Sequence, residues 1–290
     1  MTVQFGAHLP LIDLGNGLPK VDDLIAYARR ARETGFRYLC ANDHFVFTRP
    51  WLDGPTALAA VVTAAGDLTI ATTVALPTLR GTVQTAQLLR ALHTLSGGRL
   101  VAGLGPGSSA LDYQAAGVPF AERWRRFDEA VPVLRRILHQ EPDPPPLWIA
   151  SWGSPAGLRR AATLGDGWMA SAYNTTPDTF ATALDRLACA GRPPAQFPHA
   201  IATTWLYITD STSTADHILD EVLGPALGRP GDQLRAAGLP IGPAGYCAER
   251  ISAYARAGAQ RMFLWPVTDE LHQLQLFHDK VAPHISDATT

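Results

Sequence analysis

Apolar residues along this chain follow two spacings. Short, nearly unbroken apolar runs, the signature of strands covered on both faces, occur at residues 3–9, 36–41, 68–75, 99–104, 147–150, 167–170, 200–208 and 260–266. Between them, apolar residues return every three or four positions, the period of an amphipathic helix. These segments are 21–33, 55–65, 83–95, 124–139, 156–164, 177–190, 248–257 and 270–280. In 21–33, for example, Leu24, Ala28 and Ala31 share one face while Arg29, Arg30 and Glu33 take the other. Gly and Pro punctuate the junctions, as at Gly35 and in the PDPPP turn before Leu147. Residues 212–239 are the least regular, with helix expected only around 215–223.

Strand and helix alternate without a break, which predicts right-handed crossovers and a parallel sheet. Eight strand candidates, each followed by a helix, favour a (β/α)8 TIM barrel over an open doubly wound sheet. A chain of 290 residues could hold two average domains. Barrels of about 250 residues fold as one unit, however. No linker or shift in composition divides the sequence, so a single TIM-barrel domain over 1–290 is expected.

Composition narrows the function classes. With 47% hydrophobic and 17% charged residues, the chain can bury a large core and carries too little charge for a disordered or nucleic-acid-wrapping protein. A net charge of -2 offers no field for a polyanion, so no nucleic-acid partner is expected. No apolar run reaches the ~20 residues of a membrane span. The start MTVQFGAHLP lacks the basic segment and apolar core of a signal peptide, which predicts a cytoplasmic protein with no membrane partner. Cys40, Cys189 and Cys247 are odd in number and far apart, giving no disulfide framework and no metal spacing; buried thiols are expected. The histidines form no pair that suggests a zinc site.

Candidate chemistry gathers at strand ends, where barrels bind their ligands. Asp43-His44 sits at the far tip of the second strand, an acid beside an imidazole and so a candidate acid–base site. Taken alone, the pair reads equally as a turn cap and an outward loop histidine. Gly105-Pro106-Gly107-Ser108 would let backbone pass close to a ligand, although by itself it reads more readily as a strand-ending turn. Gly153-Ser154 before Pro155 offers free N–H groups and a hydroxyl at a helix start, either an anion site or a plain cap. Phe45, Phe47, Trp51, Trp152, Trp168 and Tyr173 lie on or beside strand ends and suggest a hydrophobic pocket, with part of the set belonging to the core.

GAHLP at the first strand, TGFRYLCANDHF at the second, IATTVALPTLRGTVQTAQ around the third, LSGGRLVAGLGPGS at the fourth, IASWGSP at the fifth and LGDGWM at the sixth follow one another at barrel spacing. In that order they resemble the luciferase-like family of flavin- and deazaflavin-dependent oxidoreductases. The resemblance implies a TIM barrel that binds the deazaflavin coenzyme F420, the preferred cofactor here, or FMN at the carboxyl ends of its strands. It implies hydride transfer or monooxygenation of a small, apolar or aromatic substrate, and a homodimer is left open. His44 would be the proton donor or base near the ring, with Asp43 orienting it or meeting the ring edge. His8, Asp43, Thr73, Val74, Gly105, Gly107, Ser108, Gly153 and Ser154 would bind the cofactor, the last two at its phosphate. A non-proline cis peptide is implied at Thr73-Val74, where β-branched residues alone would favour a trans strand. Where the family's sugar-phosphate dehydrogenases place a Glu after the glycine pair, this chain has Ser108, so their substrate chemistry does not carry over. A non-catalytic flavin-binding barrel is the alternative, and a barrel hydrolase ranks third for want of a metal cluster or nucleophile motif.

Overall fold

The computed structural model describes residues 3–285. Strands β1 (Gln4–His8), β2 (Tyr38–Ala41), β3 (Thr69–Ala75), β4 (Leu100–Leu104), β5 (Leu147–Ala150), β6 (Gly167–Ser171) and β7 (His199–Ile208) pair in parallel in chain order. The two-residue β8 (Ile241–Gly242) only extends the end of β7, and β9 (Arg261–Pro266) lies between β7 and β1. The sheet thereby closes into the eight-stranded parallel barrel expected of a (β/α)8 fold.

Each barrel strand is buried on both faces, which is why the runs read as nearly continuous apolar sequence. In β2, Tyr38 and Cys40 join Val101, Trp148, Met169 and Phe263 inside the barrel, while Leu39 and Ala41 face the surrounding helices. Each such aliphatic or aromatic side chain contributes roughly 1.5–3 kcal/mol by leaving water.

The helices α1 (Val21–Glu33), α2 (Gly54–Val61), α3 (Pro77–Arg80), α4 (Thr82–Leu95), α5 (Ala110–Ala115), α6 (Arg123–Leu138), α7 (Pro155–Leu164) and α8 (Pro177–Cys189) alternate with the strands. In α1 the apolar face predicted from spacing is buried, and Tyr27 joins it. Asp53 caps α2 by accepting from the Thr56 N–H at 2.9 Å, which starts that helix at Gly54; it ends at Val61, short of the expected residue 65.

The sequence hid three features. α3 and α5 are short helices inside stretches read as loop. Residues 212–239 are more ordered than expected: α9 (Thr212–His217), a wide-turned segment Ile218–Leu223, α10 (Gly224–Leu227) and α11 (Gly231–Ala237) pack over one side of the barrel mouth. Their apolar residues Ile218, Leu223 and Leu234 form a second core with Trp205 and Trp265. After Pro243, α12 (Ala244–Arg256) begins earlier than expected, and α13 (Glu270–Leu276) gives way to wide turns at Phe277–Val281. Cys40 and Cys247 are buried, but Cys189 is exposed, because α8 turns Phe180, Ala183, Leu184 and Leu187 inward and leaves its last residue outside. Among the described residues no helix is long and apolar enough to cross a membrane.

Candidate active site

Asp43 and His44 leave the tip of β2 in different directions. Asp43 is buried, and both its oxygens accept from Arg80 of α3, from Nε and Nη2 at 2.6 Å each. The same guanidinium bonds Asp53 and lies over the Phe45 ring at 4.8 Å. Burial pushes the Asp43 carboxyl above its ordinary value, and the Arg80 bonds pull against that rise. Burial likewise opposes the Arg80 charge, but its two carboxylate partners outweigh it and raise its pKa further. Asp43 therefore ties β2 to the loop after β3; it does not orient His44.

The carboxylate that does is Asp112, in the first turn of α5. His44 Nδ1 lies 2.9 Å from Asp112 Oδ2, while Asp112 Oδ1 accepts from the N–H groups of Phe45 at 2.9 Å and Val46 at 2.6 Å. Burial works against ionisation of Asp112, but the bonds from His44, Val46 and Phe45 prevail and hold its pKa below the usual carboxylate value. The sequence carried a signal for this residue. Ser109-Ala-Leu-Asp112 has the spacing of a capping box, and Ser109 Oγ does accept from the Asp112 N–H.

The His44 ring packs against Phe47 at 4.9 Å and Trp51 at 4.6 Å. Trp51 meets Trp265 edge-on at 5.6 Å, and Trp265 stacks on both Trp205 at 4.2 Å and His8 at 3.5 Å. An aromatic wall thus runs from His44 to His8. His8 Nδ1 is bonded to the Leu9 carbonyl and Nε2 accepts from the Asn42 N–H. Burial drives its pKa down to about 3, against the Leu9 bond, so His8 stays neutral at ordinary pH and offers a ring rather than a proton.

The aromatic pocket is not the set read from the sequence. Phe47 and Trp51 belong to it, and Tyr173 packs beside the Trp205–Trp265 core. Trp168 instead stacks on Phe180 in the outer core, and Trp152 and Phe45 are exposed. Trp205 and Trp265, read only as strand residues, form the wall.

The remaining candidates sit at neighbouring strand ends. The Thr73-Val74 peptide bond is cis. A Cβ on Gly105 would come 2.7 Å from Val74 Cγ2, so only glycine lets the ends of β3 and β4 approach there. Gly107 has φ +82° and Ser108 is exposed. At the start of α7, Ser154 Oγ accepts from the Gly157 N–H at 3.2 Å, Leu158 N–H bonds the Ser154 carbonyl, and Pro155 has no N–H. That leaves the Ala156 N–H and the Ser154 hydroxyl proton for an anion, a narrower site than the sequence suggested. The structure therefore brings together His8, Asp43 and His44, and separately Thr73, Val74 and Gly105; no described bond links Gly153 or Ser154 to either group.

Several buried polar atoms at this end have no hydrogen-bond partner, among them Asn42 Oδ1, Trp51 Nε1 and Trp205 Nε1. Each such atom costs about 1–3 kcal/mol unless something meets it. The Asn42 carbonyl and the indole N–H groups suit a ligand carrying both donors and acceptors, as a flavin or deazaflavin ring does.

A family model described as luciferase-like monooxygenase matches residues 5–226. An F420-dependent hydroxymycolic acid dehydrogenase of Mycobacterium tuberculosis is 32% identical over 184 residues, 53% of this chain and 50% of that protein. The chain thus spans about half the length of the curated relatives it matches. The crystal structure of the monooxygenase RslO1 from Streptomyces bottropensis shares the fold with a TM-score of 0.83 at 19% identity, covering 98% of this chain and all 100% of that one. An F420-dependent secondary alcohol dehydrogenase in complex with an F420-acetone adduct does so with a TM-score of 0.78 at 20% identity, covering 99% and 100%. The family match runs from β1 into the helices that cap the mouth and takes in both the β2 tip and the glycine loop after β4: the chain belongs to the luciferase-like monooxygenase family.

Proposed function

We propose that this protein is an oxidoreductase that works with coenzyme F420, or alternatively FMN, on a small, uncharged, apolar or aromatic substrate. The observation that carries this reading is His44, which stands at the barrel mouth with one nitrogen held by Asp112 and its ring set in the wall of Phe47 and Trp51. The preference for F420 rests on the relatives, since both the hydroxymycolic acid dehydrogenase and the secondary alcohol dehydrogenase are named as F420-dependent.

Bound at the mouth, the cofactor would supply hydride transfer or oxygen activation. Val74 and Gly105 would lie against its ring, with Asn42 Oδ1 available to a ring donor, and Ser154 with the Ala156 N–H would meet its phosphate. The stacked rings of Trp205, Trp265 and His8 would keep water from the reacting atoms. His44 Nε2, which takes no hydrogen bond from the described residues, would give a proton to the substrate oxygen or take one from it. Near His44 a single guanidinium, Arg80, is shared by Asp43 and Asp53, and Asp112 is met by hydrogen bonds from His44 and two backbone N–H groups. Among the described residues no cation is left over there for an anion, which favours an uncharged substrate over a phosphate ester.

The test is turnover of a panel of short secondary and aromatic alcohols and ketones, with oxidised and reduced F420 and with reduced FMN, under argon and in air. Substrate-dependent consumption of one cofactor supports the reading, and dependence on oxygen separates monooxygenation from hydride transfer. Tight cofactor binding with no turnover in any combination would favour the non-catalytic alternative.

A further inference from the structure

Resting on the acid–base reading of His44, we infer that Asp112 is its positioning residue: the carboxylate fixes the Nδ1–H tautomer and leaves Nε2 as the nitrogen that exchanges the proton. An ionised carboxylate only accepts hydrogen bonds, so the ring nitrogen 2.9 Å from Oδ2 must be the donor. The other oxygen is held by the Phe45 and Val46 N–H groups, which belong to the same loop as His44. One carboxylate therefore holds both the imidazole and the backbone that carries it.

The mounting reaches further. α5, which carries Asp112, is capped by Ser109 and anchored by the Tyr113 hydroxyl, which bonds the Pro106 carbonyl and Thr78. The glycine loop after β4, one of the candidate cofactor contacts, is thereby joined through α5 to the carboxylate that holds His44. Asp43, although adjacent in sequence, cannot take this role with both oxygens on Arg80. Phe47 and Trp51, the rings packed on His44, carry no charge. When a proton leaves a substrate hydroxyl for Nε2, the imidazolium that results has one N–H on Asp112 and the other toward the substrate oxygen; the reverse step returns the bare Nε2.

Asp112→Asn tests this directly. The amide oxygen can keep the Phe45 and Val46 bonds, but its NH2 then faces Nδ1, which must become the acceptor, and the ring proton moves to Nε2. Long-range proton–nitrogen NMR on the cofactor-free protein, at about pH 8 where a histidine is ordinarily neutral, reports the tautomer; the His44 signals are assigned by their loss in His44→Asn. The expected result is Nδ1–H in the wild type and Nε2–H in Asp112→Asn. With it, kcat should fall ~10²-fold while KM stays within about 3-fold. An Nε2–H signal in the wild type overturns the proposal even if the variant does not fold, as does an Asp112→Asn protein with wild-type kcat. Since the tautomer is read without cofactor or substrate, its outcome stands apart from whether the proposed reaction is found.

Discussion

Replacing Arg80 with Met keeps the side-chain stem and removes the guanidinium, leaving Asp43 buried with no counter-charge and only the Leu76 backbone N–H as a partner. Asp43 is 3% exposed, and Arg80 only 15% by side chain. Taking one partner from a buried pair of this kind costs about 3–5 kcal/mol. The lost Asp53 bond, to a carboxylate 40% exposed, adds at most about 1 kcal/mol, and the contact with exposed Phe45 about 0.5 kcal/mol. At about 2–4 °C per kcal/mol for a chain near this size, the main loss lowers Tm by about 6–20 °C. The deficit depends on pH. Burial already raises the Asp43 pKa, and removal of Arg80 raises it further. A carboxyl whose folded pKa lies above its unfolded value favours folding at low pH and loses that contribution as pH rises through the folded pKa. The variant should therefore be closest to wild type in acid and furthest from it at neutral and alkaline pH. Urea unfolding at about pH 5 and pH 8, followed by tryptophan fluorescence and circular dichroism, measures both effects. A variant within about 1 kcal/mol of wild type, or one with its larger deficit in acid, would refute the role given to this ion pair.

Three further outcomes follow from the site. His44→Asn should lower turnover by ~10²-fold or more while cofactor affinity stays within a few-fold; loss of binding as well would make His44 a cofactor ligand. Ser154→Ala removes both the α7 cap and a phosphate contact, so it should lower stability and cofactor affinity by about 1 kcal/mol each. Equal affinity loss for the phosphorylated and dephosphorylated cofactor would place the phosphate elsewhere. His8, depressed to about 3 by burial, stays neutral in the folded protein while the unfolded chain takes up a proton below about 6.5. Stability should therefore fall as pH drops from about 6.5 toward 3, by up to about 1.4 kcal/mol per pH unit from this residue, and His8→Gln should flatten that limb in denaturation measured against pH.

The barrel was legible because its strands are short, doubly buried and separated by helices of regular period. Asp43 and His44 were legible as a place, the tip of β2, but not as a pair. Their true partners, Arg80 and Asp112, stand 37 and 68 positions along the chain, on helices of four and six residues too short to show a period. Trp205 and Trp265 were read as ordinary strand residues. The register of β7 against β9 shifts between Ile201 and Thr204, where Thr203 takes φ +56°, and no hydrophobic period reveals such a shift. The helices over the mouth were obscured because Gly224-Pro225, Gly228 and Pro230 cut their apolar positions into pieces. Gly105 was visible as a glycine, but the side chain that requires it, Val74, was not.

On the proposed reading, the barrel mouth holds a deazaflavin or flavin cofactor against the His44 wall. Titration of the purified protein with F420 and, separately, with FMN, following the fluorescence of the cofactor and of the tryptophans, tests it most directly. F420 should bind saturably and more tightly than FMN, with quenching of tryptophan emission that is weakened in Trp265→Leu. No saturable change with either cofactor, in a protein shown to be folded by circular dichroism, would contradict it.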